Sequence, residues 1–220
     1  MKICGIDYSV TSPGVVKAEL DDNFNFIDIK YLGFSSVKKT CKTDDNLIFC
    51  KKEMFDNDIE RYRFIRDNIS NFLYSDGHIE YGAIEGYAYG SSGKVFNIAE
   101  GTIFVKKLMY DNNTKFKIYE PNTIKMFSTN DGNAGKVTMH DKFVSLKDHL
   151  LILDHLEEYK NPKEDLIDAY FIMRLLQAEL KLRYGFDELR NYSLKQIQAF
   201  NKVTKSNPVN ILAQDFIEKR

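Results

Sequence analysis

KICGID, residues 2–7, is a short apolar run closed by an acid. Four apolar or small residues in a row between a lysine and an aspartate read as a buried central strand that delivers Asp7 at its C-terminal end. Working outward, SPG at Ser12–Gly14 is a turn signal. VVKAEL (15–20) and FNFIDIKYL (24–32) flank the Asp21-Asp22-Asn23 turn and predict an antiparallel hairpin returning beside the first strand. A second acid-closed apolar run, IEYGAIE (79–85), places Glu85 where the first run places Asp7. Between them, Ile59, Tyr62, Ile65, Ile69, Phe72 and Leu73 recur at helical spacing and predict an amphipathic helix that SDGH ends. Residues 35–57 are polar and aperiodic, and read as a long loop or small insertion.

Downstream, Lys94–Tyr110 reads as a helix crossing the sheet and KFKIYE as a strand. EPNTIKMF opens a short helix at Pro121, Asn122 and Thr123. STNDGNAGK is a glycine-containing loop before a helix carrying Met139, Phe143, Leu146, Leu150 and Leu153. NPKEDLIDAYFIMRLLQAELKL is a long helix with Asp165 and Asp168 in its first turns. The tail after Gly185 holds two short helices, one capped by Ser193 with Gln196, the other by Asn207 with Pro208. The order is βββαβαβα: an α/β fold with a mixed five-stranded sheet flanked by helices, in residues 1–184, followed by a C-terminal helical extension, 185–220.

The 220 residues suffice for one sizeable core and not for two full enzyme domains. No apolar run approaches the roughly 20 residues of a membrane helix, and MKICGIDYSV lacks the apolar core of an export signal, so a cytoplasmic protein without membrane association is expected. Cys4, Cys41 and Cys50 have no CxxC spacing and read as reduced thiols. His78, His140, His149 and His155 are scattered and read as surface or capping histidines. A net charge of −1 argues against a simple basic nucleic-acid binder, but Lys94–Lys147 contains nine lysines against five acids. That excess is consistent either with a phosphate-facing side or with lysines solvating helix faces.

Two strand-end acids and a pair three residues apart on one helix face supply four carboxylates to one sheet edge if the two acid-closed strands are neighbours. Singly, each is a common surface feature; the joint order gives them weight. Clustered carboxylates repel unless a cation neutralises them, and hard oxygen ligands select Mg²⁺ or Mn²⁺. Two such ions about 4 Å apart orient a phosphodiester and stabilise both oxygens of an in-line displacement.

These motifs resemble the RuvC-type Holliday junction resolvases of the ribonuclease H-like, or retroviral integrase, superfamily, notably the phage and bacterial members. The resemblance covers about residues 1–180 and rests on GIDYSVTSPG (5–14), AIEGYAYG (83–90), NIAEG (97–101), EPNTIKMFSTNDGNAGK (120–136) and EDLIDAYFI from Glu164. It implies that Asp7, Glu85, Asp165 and Asp168 hold two divalent ions per site, Mg²⁺ with Mn²⁺ able to substitute. It also implies that Lys125 and Lys136 stand near the scissile phosphate, Lys136 taking part in catalysis. Family members carry an aromatic residue shortly after the second acid to stack on junction bases. Here Ala88 holds that register, so the resemblance implies either that Tyr87 or Tyr89 takes over the contact with DNA or that the sequence preference differs. The resemblance implies a homodimer, since paired nicks need two equivalent sites, with helix 94–110 as candidate interface. The substrate implied is four-way or related branched DNA, with no nucleotide cofactor, in the cytoplasm or, if phage-encoded, the host cytoplasm. Residues 35–57 and the tail have no counterpart in the family, which leaves a general branched or flap DNA nuclease as an alternative. An actin-like or sugar-kinase ATPase also opens with a strand ending Gly-Ile-Asp. It needs a second half and a second glycine-rich phosphate loop, which this length does not supply. A non-catalytic DNA-binding protein of the same fold is disfavoured because all four acids are present.

Overall fold

The computed structural model describes residues 1–42, 44–87, 95–146, 153–156, 160–201 and 211–219. Its strands are β1 (Lys2–Asp7), β2 (Gly14–Leu20), β3 (Phe26–Ser35), β4 (Leu47–Phe49), β5 (Tyr81–Glu85) and β6 (Lys115–Tyr119). The helices are α1 (Asp58–Tyr74), α2 (Val95–Asp111), α3 (Pro121–Thr129), α4 (Lys136–Ser145), α5 (Lys163–Arg183) and α6 (Leu194–Phe200). Strand order is β4-β3-β2-β1-β5-β6. β1, β2 and β3 form the antiparallel hairpin series, while β4, β5 and β6 join their neighbours in parallel.

The sheet is therefore mixed and six-stranded, not five-stranded as the sequence pattern implies. The sixth strand, Leu-Ile-Phe at 47–49, lies inside the stretch read as a loop and pairs with Gly33–Ser35 of β3. Three residues are too few for a period-two signal, although Leu47 is buried like any core strand residue. Residues 147–152 lie outside the described set, so the Leu150 position of the helix expected over 139–153 does too; α4 closes at Ser145 and Leu153 is buried. The second tail helix, at Asn207 and Pro208, also lies outside it.

Period-two alternation divides the sheet between two hydrophobic layers. Ile3, Val16 and Ala83 face a cluster built on α5, with Ile124, Phe143, Leu166, Tyr170 and Phe200. Cys4, Ile6, Val15 and Ile84 face α1 and α2, with Ile65, Ile69, Val105 and Met109. α1 starts where the Asn57 side chain accepts the Glu60 amide, and α6 starts at the Ser193–Gln196 capping box. Among the described residues no helix is long and apolar enough to cross a membrane.

α5 comes closest to β1 and β2 at two glycines. A Cβ on Gly5 would stand 2.4 Å from the Ala169 carbonyl oxygen, and one on Gly14 would stand 2.3 Å from that of Asp165. Both glycines are needed because only a hydrogen allows backbone to approach backbone this closely.

Candidate active site

β1 and β5 are parallel neighbours, with Ile6 opposite Ile84. One residue further along, Asp7 and Glu85 leave the sheet side by side at its C-terminal edge, the edge at which open α/β sheets bind ligands. Pleating puts Asp7, like Ile3 and Gly5, on the α5 side. The glycine contacts hold the first turns of α5 against the same edge, and Asp165 and Asp168, three residues apart, add two more carboxyls there. Asp7 and Asp165 are buried; Glu85 and Asp168 are partly buried.

The electrostatics show that the four acids share one environment. Burial pushes the Asp7 carboxyl well above the usual range, and Glu85, Asp165 and Asp168 each add repulsion. Glu85 is raised to about 7, by burial first and then by Asp168. Burial also raises Asp165 and Asp168 to about 6 each, against the opposing pull of Lys136 on both. Asp7 and Glu85 lie close enough to share a hydrogen bond, so the two carboxyls compete for one proton. Such a group strains toward neutrality, and a divalent cation relieves what a proton otherwise must. The donor set is all oxygen, with no thiol or imidazole among the four, which fits Mg²⁺ or Mn²⁺. Among the described residues no group of three or more acids, histidines or cysteines is arranged, as it stands, so that it could hold a metal ion.

The two lysines singled out by the sequence flank this edge. Lys125, on α3, pulls the Glu85 and Asp168 values down. Lys136, the first residue of α4, donates to Glu164 Oε2 at 2.5 Å; burial acts to lower its pKa, but Glu164, Asp165 and Asp168 together raise it. Tyr87 follows β5 at once; the Lys106 ammonium lies 4.7 Å from its ring centre and donates to its hydroxyl at 3.3 Å. Tyr89 lies outside the described residues.

Sequence reasoning overlooked several neighbours of the site. Glu164 holds Lys136, and Ser12, 2% exposed, donates to Asp165 Oδ2 at 2.6 Å. His140, read as a surface or capping residue, is buried beside Lys136, Glu164 and Asp168. His155 is exposed, as the sequence implies, and bonds Asp44 at 2.7 Å, tying the inserted segment to the chain ahead of α5. Ser12 carried a usable signal, a serine two residues before a glycine that must touch another backbone. Glu164 and His140 carried none. A cavity of about 500 Å³ is lined by Tyr81, Lys115 and Arg183 at the opposite end of β5 and β6, away from the four acids.

The mixed six-stranded sheet with its flanking helices is a ribonuclease H-like α/β fold. No family model and no curated protein matches the sequence. Among solved structures the chain is similar to RuvC of Thermus thermophilus, at 17% identity and a TM-score of 0.55, over 84% of this chain and 98% of that one. A second structure, T. thermophilus RuvC in complex with Holliday junction substrate, gives 17% identity and a TM-score of 0.55, over 84% and 97%. The yeast mitochondrial Holliday junction resolvase Ydc2 is similar at 12% identity and a TM-score of 0.55, over 86% of this chain and 81% of that one. The chain has the fold of these resolvases.

Proposed function

We propose that this chain is a metal-dependent endonuclease that resolves four-way DNA junctions, cutting as a homodimer. The observation that carries the reading is the meeting of Asp7, Glu85, Asp165 and Asp168 at one buried sheet edge, each with its pKa raised, between Lys125 and Lys136. Asp7 and Glu85 each feel the other three acids, and Asp7, Glu85, Asp165 and Asp168 would together hold the divalent ions. Two divalent ions, when bound, supply the positive charge that activates water and stabilises the attacking and leaving oxygens of phosphodiester hydrolysis. Lys136, poised between Glu164 and the acids, exchanges that carboxylate for a nonbridging phosphate oxygen when DNA arrives. Tyr87, stiffened by Lys106, offers an aromatic face to an unstacked base, a contact worth about 1–3 kcal/mol.

The homodimer reading draws support from α2. Phe96, Ile103 and Tyr110 are 76%, 57% and 40% exposed and recur every seventh residue, one apolar stripe without a partner in the monomer. Two antiparallel copies centred on Ile103 set Phe96 opposite the partner's Tyr110, apolar against apolar on both sides of the axis. Such self-complementarity is what a two-fold interface requires.

The test is cleavage of a labelled four-way junction beside linear duplex, Y-fork and flap DNA, with Mg²⁺ or Mn²⁺, by wild type and Asp7→Asn. Symmetric nicks in the junction alone, lost in Asp7→Asn while binding persists, are expected. Equal cutting of every branched form makes the chain a general branched-DNA nuclease. Binding without metal-dependent cutting makes it a DNA-binding protein of this fold.

A further inference from the structure

We infer that Ser12 and Asn161 form a relay that fixes the Asp165 carboxylate in the orientation in which it takes a metal ion; this rests on the nuclease reading above. Two pieces of chain distant in sequence meet here: the β1–β2 turn with Ser12, and the start of α5 with Asn161 just ahead of it and Asp165 in its first turn. Ser12 Oγ donates to Asp165 Oδ2 at 2.6 Å, and Asn161 Nδ2 donates to Ser12 Oγ at 2.7 Å. An amide nitrogen only donates and a hydroxyl has one proton, so Ser12 accepts from Asn161 and gives its proton to the Asp165 carboxylate at 2.6 Å rather than to the Ser9 hydroxyl at 3.3 Å. Were the Asn161 amide turned the other way, its oxygen and that of Asp165 would compete for this proton. The turn is braced as well, since the Ser12 amide donates to Ser9 Oγ at 2.9 Å.

No other hydrogen bond reaches the Asp165 carboxylate among the described residues. The relay therefore occupies one oxygen, Oδ2, and leaves Oδ1 for a cation. Ser12 is 2% exposed, so water cannot stand in for its hydroxyl without rearrangement of the turn. Just beyond it, Gly14 touches the Asp165 backbone, so side chain and main chain of Asp165 are gripped from the same turn. Ser12 and Asn161 are positioning residues: they act on the ion through Asp165 and touch neither metal nor DNA. Groups that orient metal ligands in this way change metal affinity by about 10- to 100-fold when removed.

The experiment is a calorimetric Mn²⁺ titration of the full chain, wild type against Ser12→Ala, Ser12→Thr and Asn161→Asp, with melting curves recorded without metal. Ser12→Ala is expected to weaken Mn²⁺ binding about 10- to 100-fold with little change in the metal-free melting temperature, and Ser12→Thr, which keeps the hydroxyl, to restore it. Asn161 is exposed, so Asn161→Asp folds even if a buried Ser12 variant does not. Its carboxylate competes for the Ser12 proton and is expected to weaken Mn²⁺ binding in the same direction. Unchanged Mn²⁺ affinity in Ser12→Ala or Asn161→Asp overturns the relay, as does a Ser12→Thr variant that binds no better than Ser12→Ala. A wild-type chain that binds no Mn²⁺ instead overturns the nuclease reading and this inference with it.

Discussion

Gly14→Ala is the substitution whose consequence can be worked most directly from the structure. The new Cβ would stand 2.3 Å from the Asp165 carbonyl oxygen, 2.5 Å from its carbon and 2.8 Å from the Leu166 nitrogen, all backbone atoms of α5. Ordinary contact begins near 3.4 Å, so the helix and β2 must part by about 1 Å. Leu166, Tyr170 and Met173 are buried beneath α5, so the helix can move only by loosening that layer. Overpacking of this kind costs about 1–3 kcal/mol, which in a domain of this size lowers the melting temperature by roughly 2–12 °C. The same movement carries Asp165 and Asp168 away from Asp7 and Glu85, and a misplacement of about 1 Å lowers turnover by about 100-fold. Melting followed by circular dichroism gives the first number. Single-turnover junction cleavage, at a temperature where both proteins are folded, gives the second. A variant that melts within a degree of wild type and cuts at the same rate would refute the claim that the two backbones touch here.

The raised carboxyl values set the pH dependence of the metal-free protein. Between the ordinary carboxylate range and about pH 7 the folded chain binds more protons than the unfolded one, so stability falls as pH rises through that window, and added Mg²⁺ abolishes the fall. Melting temperatures at about pH 5 and pH 8, in chelator and in Mg²⁺, check this; a metal-free protein more stable at the higher pH contradicts it. Ile103→Asp places a charge at the centre of the α2 stripe and is expected to yield monomers in sedimentation, whereas a persistent dimer would move the interface elsewhere. Glu179 is fully buried and accepts from Lys117 at 2.5 Å, Tyr119 at 2.6 Å and Arg183 at 2.6 Å. Glu179→Ala strands the buried Lys117 ammonium, a loss of about 3–5 kcal/mol seen as a melting temperature lower by roughly 10 °C, and a shift of only a degree or two would mean that Lys117 finds water.

The central strands and their terminal acids were legible because a short apolar run with an acid at its end is a local pattern. KICGID and IEYGAIE needed nothing beyond alternation and composition, and the Asp165–Asp168 pair needed only helix periodicity. β4 was not legible: Leu47–Phe49 becomes a strand because Gly33–Ser35 offers an unpaired edge, which is information held elsewhere in the chain. The same holds for Ser12, which meets Asp165 153 residues away, and for Lys117, which meets Glu179 62 residues away. Polar pairings over such separations leave no periodic trace. His140 looked like a surface histidine because its burial comes from α5 residues that the α4 sequence does not contain.

The most direct measurement is metal-dependent nicking of a labelled four-way junction by a series in which Asp7→Asn, Glu85→Gln, Asp165→Asn and Asp168→Asn are compared with wild type, with junction binding measured alongside. The account predicts that each of the four abolishes nicking in both Mg²⁺ and Mn²⁺ while the junction is still bound. Nicking that survives in any of them would contradict the claim that these four carboxylates form one metal site.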